Sequence, residues 1–300
     1  MKLSRLILAP VILLHALCYS NDVSAERVTD ADIEAARVGR KSFDLMIAGK
    51  VDESIQLSEG ILKNSGYSSH TYGDLALAKC LALEAGGRFA EARTFIVECQ
   101  KRGWDTPLLM VLSGAFYVRE WKWNDARNAF RKAFEEEPRV FHDNGDELIA
   151  LEWGTGQYEK VMEMIAKAIA KAPENGPEPV NLNHEALYRD LALRLGKPRP
   201  PVNLNDDWLD QFSFDEFVEM PDGNEANKLD YCKRLLSFVA YRRPRLRFLA
   251  RYRILFLASE LPAPLQAELI RHLDSIEIPD NESENTKKWL SVRLRPKGKQ

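Results

Sequence analysis

Beyond residue 25 the chain carries four histidines, His70, His142, His184 and His272, and three cysteines, Cys80, Cys99 and Cys232. These side chains most readily ligate a transition metal or build a nucleophile, yet their spacing supports neither. No histidine has a second histidine or a cysteine at ligand spacing, and none sits in an H-E-x-x-H motif. The run His142-Asp143-Asn144-Gly145-Asp146-Glu147 gathers oxygen ligands but lacks the alternation and the closing glutamate of a calcium loop. It reads as a turn into a helix capped by Asp143 or Asn144. Gly154-Thr155-Gly156 falls at a helix end and cannot cradle phosphate, and no G-x-S-x-G or dinucleotide fingerprint occurs. Glu135, Glu136 and Glu137 read as a solvated helix terminus rather than an acid and base pair. The expectation is a protein without a catalytic motif, a metal or a cofactor.

The elements that would position such residues are set by composition and pattern. The 300 residues are 45% hydrophobic and 29% charged, with a formal net charge of -3, which is ordinary globular composition. That balance gives no overall attraction to nucleic acid or anionic lipid. Lys2 and Arg5, the apolar stretch Leu6 to Cys18, and Val23-Ser24-Ala25 before Glu26 read as a secretory signal peptide over residues 1–25, removed on export to a periplasmic or secreted location. No stable membrane span is expected after processing. Three remaining cysteines are too few, and odd in number, for a disulfide framework, so a packed core must hold the fold.

A turn-like unit recurs in the first half. It reads Gly49-Lys50-Val51-Asp52-Glu53-Ser54, Gly87-Arg88-Phe89-Ala90-Glu91-Ala92, Trp121-Lys122-Trp123-Asn124-Asp125-Ala126 and Gly156-Gln157-Tyr158-Glu159-Lys160-Val161, at steps of 38, 34 and 35 residues. A helical apolar stripe follows each unit, such as Phe89, Ala92, Phe95, Ile96 and Cys99, or Tyr158, Val161, Met162, Ile165 and Ala168.

The third copy carries the fullest pattern, with Gly114 and Tyr117 in a first helix and Ala126, Phe130, Ala133 and Pro138 in a second. It resembles the tetratricopeptide repeat family over residues 33–173, a helix-turn-helix unit of about 34 residues. The fourth copy matches only through Ala168 and Pro173, with Ile149 and Glu152 where the family prefers a small residue and an aromatic. The resemblance implies an all-α, solenoid-like stack of about four helical hairpins over residues 26–175, followed by a C-terminal helical region. It also places Cys80 opposite Ala92 and Cys99 seven residues farther along the second helix, about 10 Å away. A disulfide needs its α-carbons within about 7 Å, so two buried free thiols are expected.

Pro173, Pro177 and Pro179 end the repeats. Over residues 176–226, Asn183 reads as the cap of a single helix on the stripe Leu187, Leu191 and Leu195, stopped by Gly196, and an acidic, aromatic linker follows. Residues 206–226 hold eight carboxylates and no Lys or Arg, interleaved with Trp208, Phe212, Phe214 and Phe217. The C-terminal region 227–300 opens with a basic block including Arg242, Arg243, Arg245, Arg247, Arg251 and Arg253, on two helices broken at Pro244, and a further helix runs from about Leu265 to Ile276. The two oppositely charged blocks are expected to pair with each other. The final twenty residues are expected to fray.

In the repeat family, residues after the core positions of each first helix line a concave face that takes a peptide or protein segment. Carried over, these are Leu77, Leu81 and Glu84, then Val111, Ala115 and Val118, then Asp146 and Trp153. The resemblance implies an exported, non-catalytic scaffold with a protein or peptide partner and no nucleic acid. An enzyme or carbohydrate-binding protein with its site in the C-terminal half is the alternative.

Overall fold

The computed structural model of the chain describes residues 30–63, 67, 69–136, 147–171, 187–188, 191–193, 195–198, 220–221, 223–241, 244–277 and 281–294. The fold is all-helical, with no strand among these residues. None of its helices is long and apolar enough to cross a membrane, again among the described residues. The expected signal peptide, the Trp208 to Phe217 segment, Asp146 and the Asn183 cap lie outside them.

The chain divides into two compact units, Met1–Asn144 and Gly145–Gln300. The first holds three antiparallel hairpins: α1 (Asp30–Ile47) with α2 (Val51–Leu62), α3 (Ser69–Ala85) with α4 (Phe89–Lys101), and α5 (Pro107–Arg119) with α6 (Trp123–Glu136). Helix α3 packs against α1 and α2 before it and against α4 and α5 after it.

The sequence repeat is a repeat of backbone chemistry at the hairpin corners. In the first, the amide of Gly49 donates to the Met46 carbonyl (3.0 Å) and that of Lys50 to the Leu45 carbonyl (2.9 Å). The same two bonds close the second corner, Gly87 to Glu84 (2.9 Å) and Arg88 to Leu83 (2.8 Å), and the third, Trp121 to Val118 (3.1 Å) and Lys122 to Tyr117 (2.9 Å). They recur as Gly156 to Trp153 (3.0 Å) and Gln157 to Glu152 (2.8 Å). This is the Schellman arrangement, which satisfies the last carbonyls of a helix and needs a left-handed residue just past its end. Gly49, Gly87 and Gly156 have φ of 80, 72 and 76°. Trp121 does the same at 59°, where an L side chain costs about 1 kcal/mol. The next residue starts the second helix at once: its carbonyl accepts from Ser54, Ala92, Ala126 and Val161 in turn.

Small residues set how closely the paired helices lie. A Cβ on Gly114 of α5 would stand 2.6 Å from the Phe130 ring of α6, and Phe130 is fully buried. In the first hairpin, Ser42 of α1 meets Ser54 and Ser58 of α2 through hydroxyl contacts of 2.8 and 2.7 Å, all three buried. Cys80, Cys99 and Cys232 are free and buried, as expected of thiols that pack rather than bridge. Burial pushes the Cys80 thiol well up and lifts those of Cys99 and Cys232 to about 12.

The second unit joins the fourth corner to the C-terminal helices. Residues 147–154 form a helix, α7, that turns at Gly156 into α8 (Tyr158–Lys171). Residues 187–188 and 191–193 are helical, and Lys197, just past Gly196, donates to the Ala192 carbonyl (2.9 Å). Then come α9 (Glu225–Tyr241), α10 (Pro244–Ser259), α11 (Ala263–Ser275) and α12 (Asn281–Leu294). The boundary expected at residue 175 thus falls inside this unit.

The tail departs from expectation. Residues 281–294 are helical rather than frayed, because Leu290 and Leu294 are buried and α12 packs on α10. Lys287 donates to the Asp274 and Ile276 carbonyls at 2.9 and 3.0 Å, capping the end of α11.

Candidate functional site

The inner positions carried over from the repeat family divide into two sets. Leu77, Leu81, Val111 and Val118 are buried, with 1, 4, 1 and 1% of their surface exposed. Glu84 and Ala115 are half-buried. The apolar part of the expected face is therefore not open. The cause is legible in the helices themselves: from Leu75 to Leu83 of α3 only Lys79 is not buried, and from Leu109 to Gly114 of α5 every residue is buried. A helix apolar all round is packed on every side, not along one stripe.

Trp153, also carried over, lies buried beneath Arg253. Arg253 is itself wholly buried on α10. Its Nη2 donates to the Trp153 carbonyl (2.7 Å) and to the Tyr158 hydroxyl, its Nη1 to the Tyr231 hydroxyl (3.1 Å) and its Nε to the Gly154 carbonyl (3.4 Å). The guanidinium sits 3.9 Å from the centre of the Trp153 ring. Trp153 and Gly154 end α7, so their carbonyls carry the partial negative charge of a helix C-terminus and suit a cation. Backbone meets backbone here, since a Cβ on Gly154 would stand 2.9 Å from the Arg253 nitrogen. Neighbouring Arg251 pairs with buried Glu147 at 3.2 Å and lies 4.3 Å from the Trp289 ring, with Arg293 4.1 Å from the same ring.

The partners described for Arg251 and Arg253 come from α7, α8, α9 and α12, while residues 206–219 of the acidic run and the side chains of Arg242, Arg243, Arg245 and Arg247 lie outside the described residues. The signal was present: Arg253 stands four residues after Leu249 and four before Leu257, on an apolar stripe. An arginine at such a position must be buried with its partners.

The third corner gathers several partly exposed charged and aromatic side chains. Glu120 accepts from Arg93 of α4 at 2.6 Å and lies 3.0 Å from the Lys122 ammonium, so one carboxylate serves two cations. Arg119 lies over the Phe89 ring, and Lys122 stands 6.0 Å from that of Tyr117. Trp121 is half-buried, and its indole Nε1 is buried without a hydrogen-bond acceptor. The sequence marks this corner only as the copy that lacks glycine. Such an array can bind and orient, since its carboxylate is already held by two cations.

Among the described residues, no group of three or more His, Cys, Asp or Glu side chains is placed to hold a metal ion. No protein-family model, curated protein or solved structure matches the chain.

Proposed function

We propose that this protein is a non-catalytic interaction scaffold of the tetratricopeptide-like kind, exported through residues 1–25, that holds a protein or peptide segment on its first-helix side. The observation that supports it is the fourfold recurrence, at Gly49, Gly87, Trp121 and Gly156, of a corner in which the backbone pair that also caps helices at Gly103 and Gly196 is followed at once by a second helix. Repeated hairpins of this kind offer an extended surface built from successive equivalent helices, which suits recognition of an extended partner. Of the positions carried over from the family, Glu84 and Ala115 keep partial exposure and are where contact is made.

Affinity capture of the mature protein from the envelope fraction of its own organism tests this reading. One recurrent protein, retained in proportion to bait, is the expected outcome. Recovery of polysaccharide or a turned-over small molecule in its place would refute it. N-terminal sequencing of the exported form is expected to begin at Glu26, and retention of Met1 would refute the export.

A further inference from the structure

We propose that the third corner, Glu120-Trp121-Lys122 together with Arg93, is a contact point for an acidic segment of a partner protein. This rests on the scaffold reading and adds to Glu84 and Ala115 a further place of contact, with its chemistry.

Three observations converge there. The corner needs a left-handed residue; the other three hairpins supply glycine, and this one holds a tryptophan at φ 59°. A large side chain kept where the backbone disfavours it is strain of the sort that functional contacts account for. The ring does not meet its own polar requirement inside the protein, because Nε1 is buried with no acceptor. A buried indole N–H ordinarily has one, and a partner oxygen reached by a small turn of the ring would provide it. Finally, Arg93 and Lys122 share the single carboxylate of Glu120 while 43 and 38% of their side chains stay exposed. The excess of positive charge favours a carboxylate from outside, and tryptophan and arginine are the residue types that most often anchor protein interfaces.

The test uses the mature chain and two short fluorescein-labelled peptides, one alternating glutamate with leucine and the other lysine with leucine, read by anisotropy. The wild type is expected to bind the glutamate peptide, more weakly as salt rises, and not the lysine peptide. Trp121→Gly is expected to bind the glutamate peptide at least about tenfold more weakly. Its melting temperature should equal or exceed that of the wild type, because glycine suits the corner. Lys122→Glu, at a half-buried side chain of the same corner, should weaken binding likewise. A lower melting temperature for Trp121→Gly would show that the ring is core packing and overturn the inference. So would undiminished binding by either variant, or equal binding of the two peptides. Undiminished binding by Trp121→Gly removes this corner alone, whereas the scaffold reading falls only if the capture experiment fails.

Discussion

Arg253 donates to the main-chain carbonyl of Trp153 at 2.7 Å and lies over the indole ring of the same residue at 3.9 Å, with no part of its own side chain exposed. One guanidinium thus fastens the end of α7 to α10 through both backbone and ring. Removing it leaves two carbonyls and two tyrosine hydroxyls without a donor they now have. Arg253→Met is expected to cost about 3 kcal/mol in urea unfolding. Arg253→Lys should recover little of that, because an ammonium cannot span the same fork of acceptors. A loss under about 0.5 kcal/mol would mean that the buried contacts carry no net stability.

Two glycines on helices are expected to respond to alanine with opposite signs. Gly114 faces the Phe130 ring with no room for a methyl group, so Gly114→Ala should destabilise by about 1–3 kcal/mol. Gly60 has nothing within 4 Å of a built Cβ and lies exposed on α2, so Gly60→Ala should stabilise by about 1 kcal/mol through helix propensity. Chemical denaturation of the pair checks both, and equal signs would contradict the packing described for α5 and α6.

Alkaline pH should weaken the second unit through Cys232. Burial lifts its thiol to about 12 in the folded chain, whereas an unfolded thiol titrates near about 8.5. The folded state therefore favours the protonated form: the contribution is whole below the unfolded pKa and is lost as pH rises toward the folded one. Each pH unit in that window removes about 1.4 kcal/mol. Urea midpoints should show Cys232→Ala less stable than wild type near neutrality, with the gap narrowing as pH rises between about 8.5 and 10.5. A gap that stays constant would contradict the raised pKa.

Polyanion binding should be weak despite the density of arginines around α10. Arg251 and Arg253 are buried and engaged with Glu147, Trp153 and Tyr231, and so are withdrawn from any exposed basic face. The protein is expected to leave a heparin column below about 0.15 M salt. Retention at substantially higher salt would show an exposed cationic face elsewhere.

Local pattern made the corners and helices legible. Gly49, Gly87 and Gly156 announce left-handed caps by residue type alone, Pro244 opens a helix where a break was expected, and Gly196 stops one. The number of cysteines excluded a disulfide framework, and the positions that the repeat resemblance implies for Cys80 and Cys99 made them readable as packed thiols. What the sequence hid was decided by partners distant along the chain. Leu77 and Val118 look like one face of a groove until the neighbours around α3 and α5 are known. Arg253 looks like one charge in a basic run, although all its described partners but Tyr231 lie nearly a hundred positions earlier. Lys287 secures α12 through two carbonyls, a contact invisible to a reading that treats a charged terminal segment as frayed. Trp121 was visible as an exception in the repeat, but only its backbone conformation and unpaired indole nitrogen give that exception physical weight.

Site-specific photo-crosslinking is the most direct measurement of the scaffold claim. A photoreactive residue is placed in turn at Ala115 and Glu84, which are half-buried on the first helices, and at Asn128, which is exposed on a second helix. The account predicts one protein adduct of constant mass, formed in the envelope from Ala115 and Glu84 and absent from Asn128. Adducts from Asn128 alone, or none from Ala115 and Glu84 in a correctly folded and exported protein, would contradict it.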